Sequence, residues 1–334
     1  MTHPSHGAFW FPFPALPDIG YTGSIESFVK EVVTVKHSLI RWGLALLGVG
    51  LVLGGRTPVA HAQTEQPGAL VKVGHYTAST DLLNLSQYYQ TTRQTRVAVA
   101  YVPTTHFGKR VMRTLTLPKG TVVAGYLTQQ KHGSRLTPAL LLYASRLSHY
   151  RLATAQPAGY TVDPTADTDA TPTVITGTKQ LSAFKRVPCP KYMPAYSHGD
   201  LYLGGATAAL SPEEPHQTSL RITPDGYVEL LTYATNVRTG LGFYQQPTSQ
   251  AKIYQTRFND PYRKLYVRHA LPGLHLTHVK NSGLRQYCLT LKNLHRPQHI
   301  AGDPLKGVAG TFDSLYLVGG TPYYTFIGFD GASN

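Results

Sequence analysis

Tryptophan is nearly absent from this chain: of 334 residues only Trp10 and Trp42 are tryptophan, and both precede Gln63. That excludes wall-binding modules built on repeated Gly-Trp pairs, and a carbohydrate platform after Gln63 must stack on tyrosine instead. Cysteine is scarce as well. The only two, Cys189 and Cys288, show neither a metal-type nor a redox-type spacing. In an oxidising compartment they are candidates for one disulfide, and a bridge closing about a hundred residues contributes roughly 4 kcal/mol if unstrained. The alternative is two separate buried thiols, because cysteine packs well as a small hydrophobe.

Acidic side chains are few, 17 against 31 Lys and Arg, for a formal net charge of +14. Past Glu65 the only glutamates are Glu213, Glu214 and Glu229. A carboxylate pair for glycoside hydrolysis can meet in space without any sequence spacing, so these three stay open as acids, and nothing singles them out. No Gly-x-Ser-x-Gly elbow, phosphate-binding loop, dinucleotide fingerprint or His-Glu-x-x-His motif occurs. Ser182-Ala-Phe-Lys185 matches the Ser-x-x-Lys of penicillin-recognising serine enzymes. Its partner motifs Ser-Asp-Asn and Lys-Thr-Gly are missing, however, and Pro188 and Pro190 disfavour the helix it needs. His269, His275, His278, His295 and His299 gather late in the chain. On a strand, His275 and His278 point to opposite faces, which is poor geometry for sharing a metal, so the expectation is no metal and no cofactor. Asp163, Asp167 and Asp169 do not fit the EF-hand spacing. Leu117-Pro-Lys-Gly-Thr121 has the wrong order and place for a sortase anchor.

The most informative stretch is Lys36 to Gln63. Lys36 and Arg41 give it a positive start, and Trp42 to Leu53 supply an apolar core. Gly54, Gly55 and Pro58 then break any helix, and Ala60-His61-Ala62 offers small residues at a cleavage site. This is the grammar of a secretory signal, and the apolar core is well short of the about twenty residues a membrane span needs. The expectation is a signal over 35–62, forming an isolated helix in the precursor, with cleavage after Ala62 leaving Gln63 first. The prolines in Phe9–Pro17 forbid regular structure there. Lys30-Glu31-Val32 can be encoded by a purine-rich ribosome-binding sequence before Val35, so residues 1–34 are expected to be a disordered, untranslated preface. Four of the 31 cations and three of the 17 acids lie before Gln63, leaving 27 against 14, a net of about +13.

After Gln63, Ser79 or Thr80 can cap a short helix, with Leu82, Leu85 and Tyr89 on one face, ending before Arg96. From Arg96 the period becomes strand-like. Arg96–Val102, Val111–Leu117 and Thr121–Thr128 read as strands, and Leu140–Tyr143 and Tyr150–Ala153 add two more. Gln156–Thr178 is rich in Pro, Thr and Asp without apolar period, and reads as a linker or long loop. Beyond it, Thr223-Pro-Asp-Gly226 between Ser219–Ile222 and Tyr227–Tyr233 is a hairpin signal. Strands are expected again at Lys252–Gln255, Leu265–His269, Leu274–Val279, Gln286–Leu291, Leu315–Val318 and Tyr323–Ile327. The chain is thus divided into 63–155 (helix plus β), 156–178 (linker) and 179–334 (mainly β). The fold class is mainly β, an antiparallel sandwich or barrel, with two β subdomains as an option.

The signal at 36–63 and the Thr- and Tyr-rich strands over 219–327 resemble, in overall style, the secreted and cell-surface proteins of lactic acid bacteria. The resemblance implies an extracellular, mostly β protein and carries over no functional residue. Export and a charge near +13 point to a cationic protein held non-covalently at the bacterial surface, outside the cell. Its expected partners are anionic wall polymers or lipid headgroups; nucleic acid is not expected, and membrane contact is confined to the signal. Two alternatives remain: a secreted hydrolase of wall polymer or glycan, and a β-barrel around a small apolar ligand.

Overall fold

The computed structural model describes residues 69–330, apart from 74, 81–82, 84–85, 105–108, 133–134, 164–172, 195–196, 211–217, 236–241 and 303–309. The preface, the signal and its cleavage site at Ala60, Ala62 and Gln63 therefore lie outside the described residues, as do Asp167, Asp169, Glu213 and Glu214.

Leu70–Val73 (β1) and Tyr76–Ser79 (β2) pair as a hairpin. Val73 and Ala78 close a small core with Leu83, Phe312 and Ile327. The next stretch builds a two-layer β body. Its strands are Gln87–Thr91 (β3), Thr95–Pro103 (β4), Val111–Leu117 (β5), Val122–His132 (β6) and Arg135–Leu142 (β7). A four-residue helix, His149–Leu152 (α1), precedes Tyr160–Val162 (β8) and Thr173–Thr176 (β9); a second, Thr178–Leu181 (α2), precedes Phe184–Val187 (β10). One sheet has the order β10-β3-β6-β7-β9 and the other β5-β4-β8, all antiparallel. In β5, Leu115 and Leu117 are fully buried while Thr114 and Thr116, before and between them, are exposed, which is the alternation of a strand with one wet face. These leucines meet Val97, Val99, Tyr101, Val123, Leu140 and Leu142 in one core, each large side chain contributing about 1.5–3 kcal/mol by leaving water.

The second body is a single 11-stranded antiparallel sheet that curls into a half-barrel. Its strands begin with Asp200–Tyr202 (β11); a short helix, Ala206–Leu210 (α3), precedes Thr218–Ile222 (β12), Tyr227–Thr235 (β13), Gly242–Tyr244 (β14) and Ser249–Lys252 (β15). Gln255–Asn259 (β16), Tyr262–Val267 (β17), Thr277–His278 (β18), Tyr287–Ile300 (β19), Thr311–Val318 (β20) and Thr321–Phe329 (β21) complete it. The expected hairpin is present. β12 and β13 pair from Ile222–Val228 outward, with Gly226 at φ +84°, where a side chain would be strained. The concave side is filled by Leu201, Leu220, Ile222, Val228, Leu265, Leu289 and Leu291.

Expectations are corrected at three places, besides Lys252–Gln255, which spans the break between β15 and β16, and Leu274–Val279, of which only Thr277–His278 pairs. Of the helix expected between Thr80 and Arg96, Gln87–Thr91 is instead β3, while Leu82 and Leu85 lie outside the described residues. Tyr88 packs into the half-barrel core and Tyr89 into the two-layer core, so β3 is buried on both faces. Such a strand shows no polar alternation, and a helical reading of its apolar residues competes on equal terms. Second, the strand expected at Tyr150–Ala153 is α1. Its first N–H groups find side-chain acceptors from the β12–β13 hairpin: Asp225 Oδ1 accepts from Ser148 N (2.9 Å), and Glu229 Oε1 accepts from His149 N (2.6 Å). Third, the stretch expected as a linker supplies β8 to one sheet and β9 to the other, and β10 returns to pair with β3. Sheet membership therefore carries the first body through Val187.

Candidate functional site

The register of β16, β17 and β19 sorts their residues into two faces. Opposed pairs Thr256–Leu265, Phe258–Arg263, Arg263–Leu291 and Leu265–Leu289 share the face whose Leu265, Leu289 and Leu291 belong to the half-barrel core. The outward face carries three rows: Gln255–Tyr266–Cys288, Arg257–Lys264–Thr290, and Asn259–Tyr262–Lys292. None of these nine residues is acidic. Arg257 and Lys264, both exposed, stand directly opposite one another. Like charges in that relation oppose folding by a few tenths to about 1 kcal/mol. The guanidinium of Arg257 lies 5.6 Å from the centre of the Tyr266 ring, and Lys292 Nζ lies 5.5 Å from that of Tyr262. Each contact holds a cation over a tyrosine face, worth about 0.5–1 kcal/mol at an exposed site. Arg285 joins the face by donating to Gln255 Oε1 at 2.5 Å. The outcome is a field of four cations interleaved with two tyrosines.

Beside this face lies an open cleft of about 700 Å³. Tyr227 and Lys252 are opposed residues of β13 and β15 and both line it, together with Tyr150, Arg151, Tyr254, Arg268 and His269. Tyr150 stacks on Tyr227 with ring centres 5.5 Å apart and planes 18° apart. Among the described residues no carboxylate lines the cleft. Asp225 lies behind it, its Oδ2 accepting from Ser148 Oγ (2.7 Å) and Arg151 Nε (3.1 Å), which fixes the Arg151 side chain and offsets its charge.

Among the described residues, Asp200, Glu229 and Asp313 are buried acids. Asp200 sits between Arg221 (2.7 Å) and Arg146, and these guanidinium groups hold its carboxyl below the usual range despite the opposing effect of burial. Glu229 lies directly across from Arg221 on one side and Gln250 on the other. Burial outweighs the Arg221 charge and the His149 N–H, and pushes its carboxyl up to about 8. Gln250 Oε1, on the residue across from Glu229, is a buried oxygen without a hydrogen-bond partner among the described residues. Asp313 is fully buried, its oxygens have no hydrogen-bond partner, and burial raises it to about 7.

Cys189 and Cys288 are free thiols, a correction to the expected bridge. The β17–β19 sheet separates them. Cys189 packs against the half-barrel core, whereas Cys288 lies on the outward side, opposite Tyr266. Burial raises both thiols; Lys264 and Arg257 pull Cys288 down from the outer face, and Arg263 pulls Cys189 down from within. The five late histidines are dispersed. His269 lines the cleft, His275 bonds Gly319 O (3.1 Å), His278 meets Tyr287 edge-on, His295 pairs with Asp260 (2.9 Å) and His299 with Asp330 (2.7 Å). Among the described residues no group of three His, Cys, Asp or Glu is placed to hold a metal. Ser182 Oγ donates to Lys179 O (2.9 Å), a turn contact, and Lys185 stands on β10 opposite Gln90. Asp163 pairs with Arg110 at 2.5 Å.

The cationic residues that share the outward face were not singled out by sequence. The signal that finds them is a period of two read on both sides of Asp260-Pro261: Gln255, Arg257, Asn259 before it and Tyr262, Lys264, Tyr266 after it. No protein-family model, no curated protein and no solved structure matches this chain.

Proposed function

We propose that this chain is an exported cationic β protein that associates non-covalently with phosphate-bearing wall polymers or lipid headgroups at the bacterial surface, through the outward face of β16, β17 and β19. The observation that carries the reading is the opposed pair Arg257–Lys264. Two cations held face to face, flanked by Lys292 and Arg285 and unrelieved by any carboxylate among the face's nine residues, raise the free energy of the unliganded protein. A polyanion laid across them relieves that repulsion and releases its own counterions. Tyr262 and Tyr266 hold the cationic groups in place, which lowers the entropy cost of binding. Export rests on the three-part pattern of residues 36–63.

The test compares two charge-neutralised variants on beads coated with a phosphate polymer and on anionic vesicles. Arg257→Gln/Lys264→Gln/Lys292→Gln removes the face. Lys72→Gln/Lys119→Gln/Lys185→Gln removes the same charge at exposed positions elsewhere. The reading expects the first to elute at lower salt than the second. Equal elution would reduce the effect to net charge and refute the face as a site. Polymer beads and vesicles used separately decide which source of phosphate is held.

A further inference from the structure

The cleft beside the cationic face offers a different chemistry from the face itself. Tyr150 has one ring side against Tyr227 yet remains 60% exposed, so its other side is open to the cleft, whose lining it shares. Tyr227 is only 8% exposed and anchors the stack. Tyr254 presents a second ring, 41% exposed. A ring fixed by a stack loses little freedom when a ligand lies on it. Two cations share this lining: Lys252, opposite Tyr227, and Arg268, just past the end of β17. With no carboxylate among the described lining residues and Arg151 already engaged by Asp225, their charge is available to a ligand.

Each ligand class leaves a different part of this lining unused. A simple hydrocarbon gains nothing from Lys252 and Arg268 and must desolvate them. A cation is repelled by both. Inorganic phosphate satisfies the cations but leaves the tyrosine faces wet. A sugar ring bearing a phosphate uses all three elements: its apolar C–H face lies on tyrosine, its hydroxyls meet the Thr116 and Thr154 side chains of the lining, and its phosphate meets Lys252 and Arg268. The volume, about 700 Å³, lies within the usual range of small-molecule clefts. Along β17, Tyr262, Lys264, Tyr266 and then Arg268 follow at alternate positions, so one strand leads from the cationic face to the cleft.

We infer that the cleft formed by Tyr150, Tyr227, Tyr254, Lys252 and Arg268 is a binding site for a phosphorylated sugar unit. The inference rests on the surface-polymer reading and deepens it, because it supplies recognition of a repeat unit where the face supplies charge. The experiment titrates the full chain with glucose 1-phosphate, glucose, inorganic phosphate and adenosine monophosphate, read by ligand-observed NMR and calorimetry.

Glucose 1-phosphate is expected to saturate one site and to bind tighter than glucose or phosphate. Lys252→Gln/Arg268→Gln removes charge-assisted contacts and is expected to weaken it about tenfold or more. Tyr254→Ala, an exposed position, is expected to weaken glucose 1-phosphate but leave phosphate unchanged. Phosphate binding as tightly as glucose 1-phosphate, no binding of either, or Tyr254→Ala without effect overturns the inference. Tighter binding of adenosine monophosphate overturns its carbohydrate part. These small probes bear on the cleft alone. Loss of bead retention in the Arg257/Lys264/Lys292 variant reports the face independently, so either reading can fail without the other.

Discussion

Replacing Glu229 by glutamine changes how stability depends on pH. Glu229 is 1% exposed, and its carboxyl is raised from an ordinary 4.5 to about 8, chiefly by burial. Its folded value lies above its unfolded value, so the native state holds the proton more tightly. That stability is fully present below about pH 4.5 and is lost as pH rises toward and through about 8. Integrating one proton over this window, the wild type loses about 3 kcal/mol from Glu229 alone between about pH 5.5 and about pH 8.5. Glutamine keeps an oxygen to accept the His149 N–H but cannot ionise. Urea unfolding of Glu229→Gln and wild type at the two pH values should therefore show the variant gaining about 3 kcal/mol relative to wild type at the higher pH. Parallel stability curves would refute a buried, protonated Glu229. Asp313, raised to about 7, acts in the same direction and is read separately with Asp313→Asn.

Three further outcomes follow from the same geometry. His198 is buried, bonds Ser86 Oγ at 2.6 Å, and is lowered from 6.5 to about 3, chiefly by burial and then by Arg146; its folded value is depressed, so it contributes stability above pH 6.5 that is lost as pH falls toward 3, and His198→Gln should flatten that acid limb in urea unfolding. Asp225→Ala strips the acceptor from Ser148 N, Ser148 Oγ and Arg151 Nε in a site where the Asp225 side chain is 1% exposed, and should cost about 3 kcal/mol by chemical denaturation, with Asp225→Asn costing less. Cys189 and Cys288 lie on opposite sides of β17–β19, so the folded protein should migrate identically with and without reductant and yield two thiols on titration in denaturant.

Sequence periodicity exposed the elements that have one wet face. β5 was readable to its ends because Leu115 and Leu117 alternate with exposed Thr114 and Thr116. The β12–β13 hairpin was readable because Pro224 and Gly226 leave the backbone few alternatives. β3 was hidden because Tyr88 and Tyr89 serve two different cores. α1 was hidden because its N-terminal acceptors, Asp225 and Glu229, arrive from more than seventy residues away. The cationic face lay between these extremes. Its alternation was in the sequence, but the expected strand began at Leu265 rather than Tyr262, which detached Lys264 and Tyr262 from their neighbours. The Glu229 shift was beyond reach, since it depends on burial that only the assembled sheet provides.

The proposed site for a phosphate polymer is the face carrying Arg257, Lys264 and Lys292. Its most direct test is the salt dependence of binding to soluble polyphosphate, measured for wild type and for Arg257→Gln, Lys264→Gln and Lys292→Gln singly. If these cations each displace a counterion from the polymer, the slope of log K against log salt should fall by about one for each variant. Slopes that stay at the wild-type value in all three would contradict the account.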